Sequence, residues 1–461
     1  MFNIKLRTIG KNFMINSKKQ NYIFYPLLCV FAIFACLAHI HQAFQILLYT
    51  IVIIAPLLFD DTKTISVYFF SVCYMGCFGH GMFLAMLNIS LFVLEIKKLT
   101  TALITKQNKK EIVTVLSVWF ILLLVLTLYS VIYNHFKIYR MGMFIDFVQC
   151  AIVCYLVRKS INIKHIVFTL FAGLLVSASS AIMFSICDIA NPHIAGRWGS
   201  RYGAFFNNVN GLSVYCTACA SAFIILLLTN HLPFKRFCYL PFICTFIGLL
   251  PYSKAFVLTS LILYGIWFVL SFAKSDKKKK YIIYFILLLV TAGIISFLAR
   301  DYIQTIISRF SGSKTASKLD QLTTGRGRIW SRYFDLFTKS PITILFGNGY
   351  TAPKIASDNY EHSIYLAFLY QFGIVGTIII ISTLIWTLRK GSKLQKNLDC
   401  YITLTLLMFN GLVSNLSGVL CSCLIWFLAF YFVTFDKNIE TQNIKNTKQS
   451  IPNEIDSSKE N

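Results

Sequence analysis

The sequence predicts an all-α polytopic integral membrane protein, with about 12 to 14 transmembrane helices and one large outer loop. Three observations carry this expectation. The 461 residues are 57% hydrophobic and only 13% charged, with a mean hydropathy of +0.67, whereas an average soluble domain is roughly a quarter charged. Apolar runs of about 16 to 25 residues recur along the chain, the length that a helix rising 1.5 Å per residue needs to cross hydrocarbon. No water satisfies peptide groups there, so the runs must be helices rather than open strands. Lysine and arginine gather between the runs, at Lys106, Lys109 and Lys110, at Lys277 to Lys280, and at Arg389, Lys390, Lys393 and Lys396. That is the positive-inside pattern of cytoplasmic loops. The formal charge of +25 is thereby explained by orientation in a membrane, and a nucleic-acid partner is not expected.

Taken in order, residues 1–21 are basic and lack a small-residue cleavage site after the first apolar run, so they read as a retained cytoplasmic tail. The runs Tyr22–Ile40 and Phe44–Phe59 form a hairpin. Ile65–Ile96 is double length, and Gly76, Gly79 and Gly81 can turn it back towards Lys97 and Lys98. Ile112–Tyr133 and Met143–Val157 cross next, followed by Arg158, Lys159 and Lys164. Ile166–Cys187 leads to an outer loop, 188–210, from which Leu212–Leu228 returns to Lys235 and Arg236. Phe237–Phe272 is again double length and should break at Pro251, which lacks an N–H. Residues 22–299 thus hold helices 1 to 11, the last being Tyr281–Leu298. Residues 300–361 form the large outer loop, residues 362–435 the C-terminal transmembrane helices, and 436–461 a polar, disordered cytoplasmic tail.

Four features then share the outer side. The first is Arg197–Asn210, with Arg197, Arg201, Asn207, Asn208 and Asn210 just before an apolar helix. Such residues are costly at a membrane surface unless they meet water or a polar ligand, although asparagines here can also cap the next helix. The second is Ser253-Lys254 at the Pro251 turn, where a lysine either snorkels or serves a ligand. Third, Thr324-Gly-Arg-Gly-Arg-Ile-Trp-Ser-Arg-Tyr-Phe-Asp-Leu-Phe337 repeats apolar residues at three and four, at Ile329, Trp330, Tyr333, Phe334 and Phe337. This predicts an amphipathic helix lying on the bundle, capped by Thr324. Arg326 sits in its first turn, where the helix dipole disfavours a cation, and an anion at the free N–H groups would favour it. Arg328 and Arg332 share the polar face, where solvation is the simpler account. Last come the glycine-rich turn Phe346-Gly-Asn-Gly-Tyr350 and Glu361-His362 at the mouth of the next span. Histidine can accept a proton near neutral pH, or can be merely structural at a helix end.

The 14 cysteines include Cys216 and Cys219 at CxxC spacing. Both fall in an apolar helix without a second ligand pair, so they read as small hydrophobes and no metal is expected.

Together these segments resemble the O-antigen ligase and polysaccharide polymerase superfamily of bacterial membranes. The resemblance is clearest from about Arg201 to Gly376. It rests on Arg201-x-Gly with Asn210, the Ser253-Lys254 helix start, Gly325-Arg326-x-x-x-Trp330, Phe346-Gly-x-Gly349, His362 with Tyr365-Leu366, and Gly373-x-x-Gly376. Two departures stand out. The family commonly has arginine where this chain has Lys254, and asparagine where it has Ser363. Lysine keeps the charge but loses the bidentate fork.

The resemblance implies a membrane-embedded glycosyltransferase of the C type in the bacterial inner membrane, inverting, metal-independent and without a cofactor. Its donor would be an oligosaccharide on a polyprenyl diphosphate, usually undecaprenyl diphosphate. His362 would be the catalytic base, and Arg326, Lys254, Arg201 and Arg328 would bind the diphosphate or the glycan. Expected partners are the lipid bilayer, a flippase and a chain-length regulator. An O-antigen or capsular polymerase would transfer the glycan to the next lipid-linked repeat unit, whereas a ligase would transfer it to lipid A core. The stretches Leu322–Trp330 and Leu369–Gly373 look more like polymerases. A lipid-linked oligosaccharide flippase is the alternative of another class, but it should carry charges inside its helices along a central path.

Overall fold

The computed structural model describes residues 17–78, 82–133, 137–187, 202–206, 208–274, 286, 304, 326–351, 363–390, 394–413 and 424–434. Among these residues every regular element is helical. The helices are α1 (Ser17–Ile40), α2 (Gln45–Leu58), α3 (Asp61–Val72), α4 (Met82–Thr105), α5 (Lys109–Ile132), α6 (Ile138–Val157), α7 (Ile163–Ile186) and α8 (Val209–Leu228). They continue as α9 (Leu240–Leu249), α10 (Lys254–Lys274), α11 (Arg326–Phe337), α12 (Pro341–Phe346), α13 (Ile364–Arg389), α14 (Ile402–Val413) and α15 (Leu424–Val433). Seven described helices are long and apolar enough to cross a membrane, with shorter apolar helices at Gln42–Leu58, Leu398–Leu412 and Leu424–Val433. The chain is an all-α polytopic membrane protein.

Both double-length runs break where the sequence places a turn. The first stops at Val72, and a short 3-10 turn at Met75–Cys77 carries it on. There the Gly76 N–H donates to the Phe205 carbonyl at 2.6 Å. The second breaks between Leu249 and Lys254. The first arms, α3 and α9, have 12 and 10 helical residues, or about 18 and 15 Å at 1.5 Å per residue. Neither helix alone reaches across hydrocarbon of about 30 Å. The expected span Tyr281–Leu298 lies almost wholly outside the described residues.

Helix ends sort to two ends of the bundle, and the polar bonds there show why. At one end Lys98 pairs with Asp61, which also accepts from Ser160. Lys97 donates to the Pro56 and Phe59 carbonyls at 2.6 and 2.9 Å, closing the C-terminus of α2. Arg158 donates to the carbonyls of Leu388, at 3.1 Å, and of Lys390. Lys274 pairs with the buried Asp399. These contacts join the ends of α2, α4, α6, α10 and α13 at a strongly basic end, with Asp60 capping α3 and Asn162 capping α7 through side-chain bonds. The other ends of the helices meet at the opposite end.

Within the bundle α8 is the central helix, 94% of its apolar window being enclosed, whereas α5 is peripheral, with 11%. Exposed apolar side chains on α5, such as Phe120 and Ile121, face the region that lipid fills. Cys216 and Cys219 are fully buried free thiols of α8. Among the described residues no three histidine, cysteine or acidic side chains are grouped to hold a metal.

Candidate functional site

Two loop segments are joined at the end opposite the basic one. The Tyr202 N–H donates to the Leu250 carbonyl at 3.2 Å, which lays the 202–206 segment on the Pro251 turn. Tyr252 in that turn has φ 52°, a left-handed conformation unusual for a bulky residue. Burial, and then its neighbour Tyr202, raise its phenol pKa. Arg201 lies outside the described residues. Half-buried Lys254 opens α10 directly after the turn. Asn208 caps α8, accepting from the Asn210 N–H at 2.8 Å, so the capping account holds for that asparagine.

Helix α14 draws the mouths of α10 and α13 together. The Tyr365 hydroxyl, one residue into α13, donates to the Met408 carbonyl at 2.8 Å. Thr259, in the second turn of α10, contacts the Asn410 side chain at 3.4 Å. Met408 and Asn410 belong to the last turns of α14. Ser363 is the N-cap of α13 and is buried. His362 precedes it and lies outside the described residues. Neither Thr259 nor Asn410 stands out in the sequence, because a polar residue in an apolar run reveals its partner only through tertiary packing.

Helix α11 forms and docks on α13, while its expected cap, Thr324, lies outside the described residues. Tyr333 and Phe337 are buried, and the Tyr333 ring meets Tyr370 edge-on with centroids 5.5 Å apart. Fully burying such a side chain contributes about 1.5–3 kcal/mol. Ile329 and Trp330 are half-buried, but Phe334 is 56% exposed, contrary to its expected place on the packed face. A helix turns 100° per residue, and Phe334 falls off the stripe that Tyr333 and Phe337 define. Arg326 is seven residues before Tyr333 and so shares its face. It is half-buried, and burial pushes its pKa down, although a guanidinium remains charged at neutral pH. Arg328 is 200° around the helix from Arg326. Its backbone is helical and its side chain lies outside the description, while Arg332, four residues on, is exposed.

The glycine-rich turn has a mechanical role that the sequence did not disclose. Inside α13, Gly373 departs from helix geometry, with φ 64° and ψ −173°. Its departure frees carbonyls of the preceding turn. The Asn348 N–H donates to the Tyr370 carbonyl and the Gly349 N–H to the Gln371 carbonyl, both at 2.8 Å. A Cβ on Gly373 would stand 2.4 Å from the Leu345 carbonyl, and one on Gly347 equally close to the Gln371 oxygen. Tyr129 donates to the Gly347 carbonyl at 2.9 Å, and the Lys137 N–H to the Tyr350 carbonyl at 2.8 Å. The turn therefore clamps α5, α6 and α13 and sets the height at which α11 lies.

Comparison with known proteins matches part of the chain to a family. Residues 239–381 match the family model described as O-antigen ligase. No curated protein and no solved structure matches the chain. The matched region contains Lys254, α11, the glycine clamp and the mouth of α13, and it begins after Arg201. The match covers less than half of the chain, and over residues 239–381 it agrees with the resemblance to the O-antigen ligase and polysaccharide polymerase superfamily.

Proposed function

We propose that the protein is a polysaccharide polymerase that transfers a glycan from a polyprenyl diphosphate to the next lipid-linked repeat unit. The observation that carries this reading is the convergence, at one end of the bundle, of Tyr202 beside the Pro251 turn, Lys254, α11 and the mouth of α13. The end bearing Lys97, Lys98, Arg158, Lys274 and Lys390 faces the cytoplasm by the positive-inside rule. The candidate site then faces outward, at the outer surface of the bacterial inner membrane.

The chemistry needs a base and a counter-charge. The acceptor hydroxyl attacks the anomeric carbon from the side opposite the diphosphate and gives its proton to His362. The bond from that carbon to the diphosphate oxygen breaks, so the configuration inverts and polyprenyl diphosphate leaves. Arg326, Lys254 and Arg201 stabilise the charge that grows on the leaving group without a metal. Arg328 is assigned to binding the diphosphate or the glycan.

Transfer to lipid A core is the second reading, favoured by the matched family's description as O-antigen ligase. The glycan phenotype of a deletion strain separates the two. Single repeats capped on lipid A core are the expected result of losing a polymerase. Undecorated core with polymer still made would assign the protein to the ligases.

A further inference from the structure

A second site lies away from the outer end, in a cavity of about 630 Å³ between α4, α5 and α6. Its volume falls within the roughly 300–1,000 Å³ typical of ligand pockets. Most of its wall is apolar, including Phe92, Phe120 and Val148, and Phe92 and Phe120 are exposed on the flank of the bundle. The cavity therefore opens towards lipid. Two polar side chains of the wall are buried and incompletely satisfied. Glu95 is 7% exposed, and its Oε1 has no hydrogen-bond partner among the described residues. Gln149 is 8% exposed; its Nε2 donates to the Asn88 carbonyl at 3.2 Å, while its Oε1 has no partner among them.

The Gln149 oxygen is an acceptor, the Glu95 oxygen becomes one once a cation beside it keeps the carboxyl ionised, and leaving such groups unpaired in a low-dielectric setting is costly. The lysines next to Glu95 in the chain cannot serve it. Lys97 is held by the Pro56 and Phe59 carbonyls, and Lys98 by Asp61. These bonds also fix the depth. Glu95 lies two to three residues, about 3–5 Å along the helix axis, from these lysines, near the level at which α2 ends, while α4 itself runs on to Thr105. On the facing wall, Lys109 and Lys110 start α5 about two turns before Ser117 of the cavity. The order from the surface inward is cation, then carboxylate, then an apolar chamber.

We propose that this cavity binds a phospholipid whose headgroup carries a primary ammonium, phosphatidylethanolamine, from the leaflet at the basic end. The ammonium donates to Glu95, the phosphate lies towards the start of α5, and an acyl chain fills the apolar chamber. A quaternary ammonium has no N–H and cannot make the same bond.

The test uses the purified full-length protein, stripped of lipid in detergent and titrated with phosphatidylethanolamine, phosphatidylcholine or phosphatidylglycerol while bound lipid is counted by native mass spectrometry. Phosphatidylethanolamine is expected to bind about tenfold or more tightly than the other two, because only its headgroup can make the charge-assisted bond. Glu95→Gln should abolish that preference. Ser117→Trp, which fills the chamber and leaves the carboxyl in place, should reduce binding of the ethanolamine lipid and serves if the first variant fails to fold. Equal binding of the ethanolamine and choline lipids, or an unchanged preference in Glu95→Gln, would overturn the assignment.

Discussion

At Arg326 two physical demands oppose each other. Burial lowers its pKa, and the N-terminal turn of a helix repels a cation, yet the residue opens α11 on the face that packs against α13. The proposed diphosphate ligand would reconcile them. Removing one donor from a developing oxyanion typically lowers the rate about 10²- to 10³-fold, so Arg326→Ala should do so, and Arg326→Lys should recover only part because the fork is lost. Arg332→Ala, on the exposed side, should leave the rate near wild type. His362→Ala should cost about 10²- to 10⁴-fold if it removes a general base. Expression and membrane insertion measured beside polymer formation separate chemistry from folding, and a well-expressed His362→Ala protein working at full rate would leave that residue a structural part. Among the charges of the proposed site, Lys254 stood out in the sequence, since a lysine in a short outer loop would oppose the positive-inside pattern. Asn410 and Thr259 did not, because neither their spacing nor their composition announces a contact 151 positions apart.

Among elements, the breaks at Pro251 and near Gly76 were legible from length alone, because no single straight helix of that length suits a bilayer. The amphipathic α11 was legible from its period. The clamp formed by Gly347, Gly349 and Gly373 was not, since Gly373 stands within an apolar run that reads as unbroken helix, and its partner turn lies more than twenty residues away. A stability comparison examines the clamp. Gly373→Ala adds a Cβ 2.4 Å from the Leu345 carbonyl at a positive φ, and it should lower the yield of folded protein markedly, with a cost of at least about 1–3 kcal/mol. Gly265→Ala in α10 meets nothing within 4 Å and should be neutral or slightly stabilising, as alanine is the better helix former by about 1 kcal/mol. Equal thermal stability of the two variants would mean that the clamp does not hold the helices.

For the whole molecule, orientation follows from where the cations lie. Single cysteines near Gly199, Thr315 and Ser357 should react with an impermeant thiol reagent added from outside, and those near Lys278 and Lys393 should not. Labelling of Lys278 and Thr315 positions from the same side would contradict the arrangement. The architecture as a set of spans could be read from hydropathy because the bilayer allows so few backbone solutions. How the spans meet could not, since helices in lipid are arranged by local packing and isolated polar bonds such as Arg158 to Lys390 and Lys274 to Asp399. The most direct measurement joins purified protein in proteoliposomes with a polyprenyl-diphosphate-linked oligosaccharide as both donor and acceptor, in excess EDTA. The account predicts lengthened glycan, inverted at the new linkage, with release of polyprenyl diphosphate in equal amount. Activity that disappears in EDTA and returns with magnesium or manganese would contradict the assignment of leaving-group charge to Arg326, Lys254 and Arg201.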